Sequence, residues 1–135
     1  MGWNDDVIKT FRESKGTKNY WGPKLVILHT IGAKSGEPRL NPVVGFRDDT
    51  GWRVVASKGG SAENPAWYHN LRAHPSIEIE AVVDGEVVTL PVTATEIGAD
   101  EWREAYDAIV AEEPQFGGYL DKTDRRIPVF QLTRR

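Results

Sequence analysis

Cysteine is absent from this chain. Its absence removes disulfides, thiol nucleophiles and thiolate metal ligands together, and it suits an intracellular protein. No apolar run approaches the length of a membrane span, and the N-terminal "MGWNDDVIKTFRESKG" has neither the cationic start nor the apolar stretch of a signal peptide. The expected location is therefore the cytoplasm, with membrane contact limited to the periphery through an amphipathic first helix. A general excess of positive charge is missing too. The formal net charge is -3, so the broad basic surface that binds a phosphate backbone is not there, and nucleic acid is not an expected partner. His29, His69 and His74 lack metal-ligand spacing, and no metal is expected. No nucleophile-elbow motif accompanies a Ser-His-Asp set, which gives hydrolysis little encouragement. Internal repeats and low-complexity tracts are also lacking.

What is present is an ordinary globular composition. With 135 residues, 39% hydrophobic and 27% charged, the chain is read as one domain over 1–135, a helical segment over 1–20 preceding a β-rich body over 24–133. Trp3, Val7, Ile8 and Phe11 fall on one helical face, with Asn4 placed to cap it and Asp5 and Asp6 suited to its positive end. "KLVILHTI" (24–31) is the apolar, β-branched run of a strand covered on both faces. "RLNPVVGFR" (39–47) is a second strand, edge-placed or bulged at Pro42. After the turn "DDTG" (48–51), "WRVVASK" (52–58) returns, and the three read as an antiparallel meander.

Asn64-Pro65 signals the start of a helix through "AWYHNLRA". In "SIEIEAVV" (76–83), Glu78 and Glu80 alternate with apolar residues and predict one wet face, and Asp84-Gly85 is a two-residue hairpin turn into "EVVTLPVTATE". A helix over 99–113 turns Trp102, Tyr106, Ile109 and Val110 inward, and "IPVFQLT" (127–133) closes the order. Roughly six strands joined mostly by hairpins predict a mainly β (α+β) antiparallel barrel with short helices and a ligand groove.

Two loops stand out. "GAKSG" is not a nucleotide P-loop, because its glycine precedes the lysine by two positions and a strand follows where a helix is needed. A glycine turn with Lys34, Ser35 and Arg39 can still hold an anion through amides and point charges. Its plainer reading is a solvated hairpin loop. The second loop, "SKGG", adds Ser57, Lys58 and two glycines, and two cationic glycine-bearing loops together point to a polyanionic tail. Trp67 and Tyr68 follow on a helix, where adjacent side chains diverge, so one is expected in the core and the other beside a ligand.

"GAKSGEPRLNPVV", "VVASKGGSAENPAWYHNLRAHP" and "TDRRIPVFQL" together resemble the deazaflavin-dependent nitroreductase family, whose members use coenzyme F420 and include quinone reductases. The resemblance spans roughly residues 24–133 and implies a split β-barrel of the FMN-binding-like kind. It implies that Lys34, Ser35, Gly36 and Arg39 meet the cofactor's phosphate and oligoglutamate tail. Ser57, Lys58 and Gly59 would line the phosphate and ring region, and Trp67, Tyr68 and Leu71 would support the cofactor from the following helix. The implied reaction is hydride transfer from reduced F420 to quinones, enones, nitro compounds or related conjugated acceptors. In "AEEPQFGGYLDKTD", Glu113, Phe116 and Tyr119 occupy positions where family members can place tyrosines. Phe116 is then expected as a wall of the acceptor pocket, Tyr119 as the proton donor, and Gly117-Gly118 as the hinge of a mobile lid. Ala33 stands where the family usually has Arg, which implies one tail contact fewer. Arg47, Arg72, Arg134 and Arg135 are candidates to compensate. The alternatives are a non-catalytic F420 carrier and an FMN-binding split-barrel oxidoreductase, with FMN the lesser cofactor candidate.

Overall fold

The computed structural model of the chain describes residues 3–18 and 20–135, with the backbone alone at Trp3. The expected packing of the Trp3 side chain therefore lies outside the described residues. The order of elements is α1 (Trp3–Ser14), β1 (Leu25–Ile31), β2 (Pro38–Val44), β3 (Phe46–Arg47), β4 (Gly51–Val55), α2 (Ala66–Ala73), β5 (Ser76–Val83), β6 (Glu86–Glu96), α3 (Ala99–Glu112), α4 (Gln115–Leu120) and β7 (Val129–Arg134).

All seven strands form one antiparallel sheet in the order β2-β1-β5-β6-β7-β4-β3. Its two outermost strands, β2 and β3, are separated in sequence by Gly45 alone. A sheet whose opposite ends are joined by one residue must curl until those ends meet, and the right-handed twist of strands makes that curl natural. The result is the split barrel that the sequence predicts.

The expected meander needs correcting. β4 pairs with the two residues of β3 and then with β7, not with β2. Pro42 sits in β2, an outermost strand, where a missing amide donor is tolerated. Asp84 (φ 53) and Gly85 (φ 78) make the expected tight turn, with Val83 facing Glu86.

β1 is covered on both faces because its alternate side chains meet different partners. Val26 and Leu28 enter the barrel core with Trp52, Val54, Ile79, Phe130 and Leu132. Leu25 and Ile27 pack under α1 against Ile8 and Phe11. A third cluster sets Trp102, Tyr106 and Ile109 of α3 and Phe116 of α4 against Val44, Phe46, Val55 and Val129. Ile8 and Phe11 of α1 are thus spent on the sheet. Among the described residues no helix is long and apolar enough to cross a membrane.

Three local expectations fail for physical reasons. Asn4 lies inside the first turn of α1 instead of capping it. Asn64 does not cap α2, because its carbonyl oxygen accepts from Arg125 Nη1 at 2.6 Å. Glu80, expected on a wet face, is only 4% exposed. The docking of α1 covers it and supplies its partner: Arg12 donates from Nε and Nη2 at 2.8 and 2.6 Å, and His29 Nε2 lies 2.7 Å away.

The hydrogen bonds from Arg12 hold the Glu80 carboxyl below its ordinary range, against the opposing pull of burial. A depressed folded-state value stabilises fully above the unfolded value, near pH 4.3, and that contribution is lost as pH falls through the folded value. Thermal melts of wild type should therefore lose Tm below about pH 4 more steeply than those of Glu80→Gln. Equal slopes would remove Glu80 from the acid transition. Arg12→Ala should cost about 1–2 kcal/mol, discounted because the guanidinium is half exposed.

Candidate functional site

The β1–β2 hairpin gathers the first set of basic residues. Gly36, in a left-handed turn (φ 72), donates to Gly32 O at 2.9 Å, and Gly32 donates to Glu37 O at 2.8 Å. Arg39 Nη2 approaches Ser35 Oγ at 3.5 Å, and its Nη1 is 3.4 Å from Glu37 Oε2. Lys34, Ser35 and Arg39 wall a cleft of about 330 Å³ with Ala66, His69 and Asn70 of α2. Asn70 fixes this arrangement. Its side-chain carbonyl accepts the Ala33 amide at 2.9 Å, and its Nδ2 donates to Thr30 Oγ1 at 3.4 Å, which in turn donates to Asn41. His69 and Asn70 were not anticipated from sequence.

The second set lies where β4 ends. Ser57 has right-handed backbone (φ -78, ψ -37), followed by left-handed Lys58 (φ 47), Gly59 (φ 66) and Gly60 (φ 87). A right-handed residue followed by a left-handed one turns successive N–H groups to one side, the geometry of an anion-binding nest. Gly60 and Ser61 donate to Ser57 O and Lys58 O at 2.9 and 3.2 Å. The amides of Ser57, Lys58 and Gly59 meet no acceptor among the described residues. Space beyond Gly59 is open, so backbone can approach a ligand there. Lys58 Nζ lies 4.0 Å from Glu63 and is half exposed. Free amides, a cation and open space fit a phosphate-bearing cofactor.

Lys58 is not among the residues that wall the hairpin cleft. The turn precedes α2 in the chain, and Ala66, His69 and Asn70 of that helix wall the hairpin cleft. Of the α2 residues, Trp67, Tyr68 and Leu71 are all buried in the barrel core. Trp67 and Tyr68 both pack on Phe130, with ring centroids 6.2 and 5.7 Å away. The Tyr68 hydroxyl emerges to accept from Arg72 Nη1 at 3.1 Å. The pair therefore stiffens the helix from beneath, and neither ring diverges from the core.

α4 brings the remaining candidates beside the nest. The segment expected as a mobile lid is a helix docked on α3, with Gly117 letting it approach Val110 closely. Tyr106 Oη donates to Phe116 O at 2.7 Å, and burial pushes this phenol up to about 12, so it stays a fixed donor. Phe116 is buried against Phe46, Tyr119 and Trp21. Trp21 and the 83% exposed Tyr20 line a larger, mostly apolar cavity of 520 Å³ with Val7, Leu25, Pro42 and Val43, and Asp6, Thr10 and Lys18 add polar groups to its wall. Phe116 is not a wall of that cavity, because Trp21 stands there.

Tyr119 Oη accepts from Gln115 Nε2 at 2.8 Å, and Gln115 Oε1 accepts from Tyr20 Oη at 3.3 Å. Lys122 Nζ lies 5.9 Å from the Tyr119 ring centroid, and its side chain borders Gly60. Lys122 was also missed from sequence. Glu113 and Glu112 both receive Lys24 Nζ, at 2.7 and 2.8 Å. The candidate compensating arginines are engaged elsewhere: Arg47 and Arg134 over Trp52, Arg72 at Tyr68, and Arg135 on the carbonyls of Val92 and Ile77.

A curled antiparallel barrel bearing glycine-rich cationic loops defines the chain as a split-barrel protein. Its family follows from comparison: the profile described as F420H(2)-dependent quinone reductase matches residues 3–134, and the chain belongs to that family. The F420H(2)-dependent quinone reductase of Mycobacterium tuberculosis strain H37Rv is 39% identical over 117 residues, covering 84% of this chain and 75% of that protein. A solved F420-H2 dependent reductase, FDR-A, is 36% identical with a TM-score of 0.69, covering 81% of this chain and 93% of that one. A pyridoxamine 5'-phosphate oxidase-related FMN-binding protein from Nostoc punctiforme shares the fold alone, at 15% identity and a TM-score of 0.58 over 99% of this chain and 81% of that one. Membership places the chain among the oxidoreductases and makes coenzyme F420 its cofactor.

Gly60 offers a direct test of the nest. A Cβ there would lie 3.0 Å from Lys122 side-chain atoms and 3.2 Å from Tyr119 O, on a backbone with φ 87. Gly60→Ala should destabilise by about 1–2 kcal/mol and weaken F420 binding, measured by denaturant unfolding and fluorescence titration. Unchanged unfolding would contradict the crowding at this turn.

Proposed function

We propose that this chain, read as one reductase domain over residues 1–135, reduces quinones with hydride from reduced coenzyme F420, and that enones and nitro compounds of similar electron demand are further acceptors. The observation that carries the reading is the Ser57–Gly59 nest, whose next residue Gly60 packs beside Tyr119 and Lys122, in a chain of this family. Ser57, Lys58 and Gly59 hold the phosphate through outward amides and charge. Lys34, Ser35, Gly36 and Arg39 take the glutamate tail, whose carboxylates match the basic hairpin. Trp67, Tyr68 and Leu71 act from the core, keeping α2 rigid between the two loops.

When bound, coenzyme F420 supplies the hydride from its C5 position, and the protein's task is alignment and exclusion of competing reactions. Reduction of a quinone to the hydroquinone takes one hydride and one proton. Tyr119 is the proton donor in this reading. Because Gln115 donates to its oxygen, the Tyr119 O–H is left to point at an acceptor. The Tyr20 hydroxyl donates a hydrogen bond to Gln115 Oε1 and so orients this pair. The 520 Å³ cavity is of ligand size, and its apolar wall of Val7, Trp21, Leu25, Pro42 and Val43 suits a hydrophobic quinone. Phe116 supports this wall from behind Trp21. The cytoplasm, where the cofactor would be kept reduced, is the proposed location.

Purified chain mixed with reduced F420 and menadione should restore the visible absorbance of oxidised F420. Tyr119→Phe should lower kcat by about tenfold or more while leaving F420 affinity unchanged. Binding of F420 without turnover across quinones would contradict the reductase reading, and full activity in Tyr119→Phe would leave the proton to solvent.

A further inference from the structure

The geometry points to Arg125 as the positioning residue that holds the phosphate nest in its binding conformation. This rests on the nest being the phosphate site proposed above. Arg125 precedes β7 and lies more than 60 positions from the loop it organises, in the tract "TDRRIPVF". Its guanidinium is spent on a single stretch of chain, residues 56–64. Nε donates to Ser61 O at 2.9 Å and Nη1 to Asn64 Oδ1 at 2.6 Å. Nη2 is shared among Ala56 O, Ser57 O and Glu63 O at 3.1, 3.0 and 3.1 Å. Burial lowers its proton affinity, yet an arginine stays charged in all ordinary conditions.

The consequence follows from the planar peptide. A carbonyl and the N–H of the next residue point in opposite directions across the same plane. Turning Ala56 O and Ser57 O toward Arg125 therefore turns the N–H groups of Ser57 and Lys58 away from it. These are two of the three amides that meet no internal acceptor. The same clamp offsets the strain of Lys58, a non-glycine residue at φ 47 that would otherwise relax to an extended conformation. Arg125 touches the back of the nest, and Lys58 and the outward amides remain on the ligand side. A lysine could not replace it, since one ammonium with three donors cannot span acceptors from Ala56 to Asn64.

The experiment compares wild type, Arg125→Lys and Asn64→Ala by fluorescence titration with F420 and with 8-hydroxy-5-deazariboflavin, which has the same ring without phosphate or glutamates. Apo-protein melts are recorded alongside. Arg125→Lys should raise the Kd for F420 by about tenfold, the loss of one or two charge-assisted bonds, with less than about a twofold change for the phosphate-free ring. Asn64→Ala removes one acceptor of the clamp and should show the same selectivity at smaller amplitude, so it decides the matter if Arg125→Lys does not fold. Equal weakening of both ligands would mean that Arg125 only supports the fold, and unchanged F420 affinity in folded variants would likewise overturn the inference. If wild type itself fails to bind F420, the phosphate-site reading fails first and the inference falls with it.

Discussion

The single residue between β2 and β3 constrains everything else in this structure. Val44 and Phe46 belong to strands at opposite ends of a seven-stranded sheet, yet Gly45 is all that separates them. The sheet can satisfy both facts only by curling. Curling creates an interior that Val26, Leu28, Trp52, Ile79 and Phe130 fill, and it leaves outer faces that α1 and α3 cover. It also carries the end of β4 to α4, so that Gly60 touches the backbone of Tyr119. Residues far apart in the chain thereby share one surface.

On that surface, the proposed function depends on the direction of a few peptide groups. The barrel supplies rigid strand ends, and the turn after β4 departs from regular structure through three consecutive left-handed residues. Such a turn is costly unless its carbonyls find donors. Inward carbonyls and outward amides are two sides of one arrangement, and in the proposed reading this energetic requirement of folding also forms the anion site. The hairpin cleft works differently. There the charges sit on Lys34 and Arg39, and Asn70 and Thr30 form the polar buried support.

Much of this was legible in the sequence, because it was written in local chemistry. Pro42 marked an outermost strand, Asp84-Gly85 a tight turn, and the unbroken run "LVILHTI" a strand with two covered faces. The cationic glycine loops were visible for the same reason, since the residues needed at such turns are few. What escaped was long-range. Glu80 looked solvated because alternation within β5 cannot reveal that α1 will cover it with Arg12. Asn64 looked like a helix cap because its competitor, Arg125, comes 61 residues later. Trp67 and Tyr68 were expected to diverge, but the ring of Phe130 is wide enough to meet both. The Gly117-Gly118 pair read as flexibility, although its use at Gly117 is close helix packing against Val110.

The central claim is that backbone amides of Ser57, Lys58 and Gly59 receive the phosphate of coenzyme F420. Amide NMR of the full chain during titration with F420 tests it most directly. The account predicts large downfield proton shifts at those three amides, saturating with the ligand, and smaller changes at Gly60 and Ser61, whose N–H groups are already bonded internally. Saturating F420 binding that leaves the amides of Ser57, Lys58 and Gly59 unmoved would contradict it.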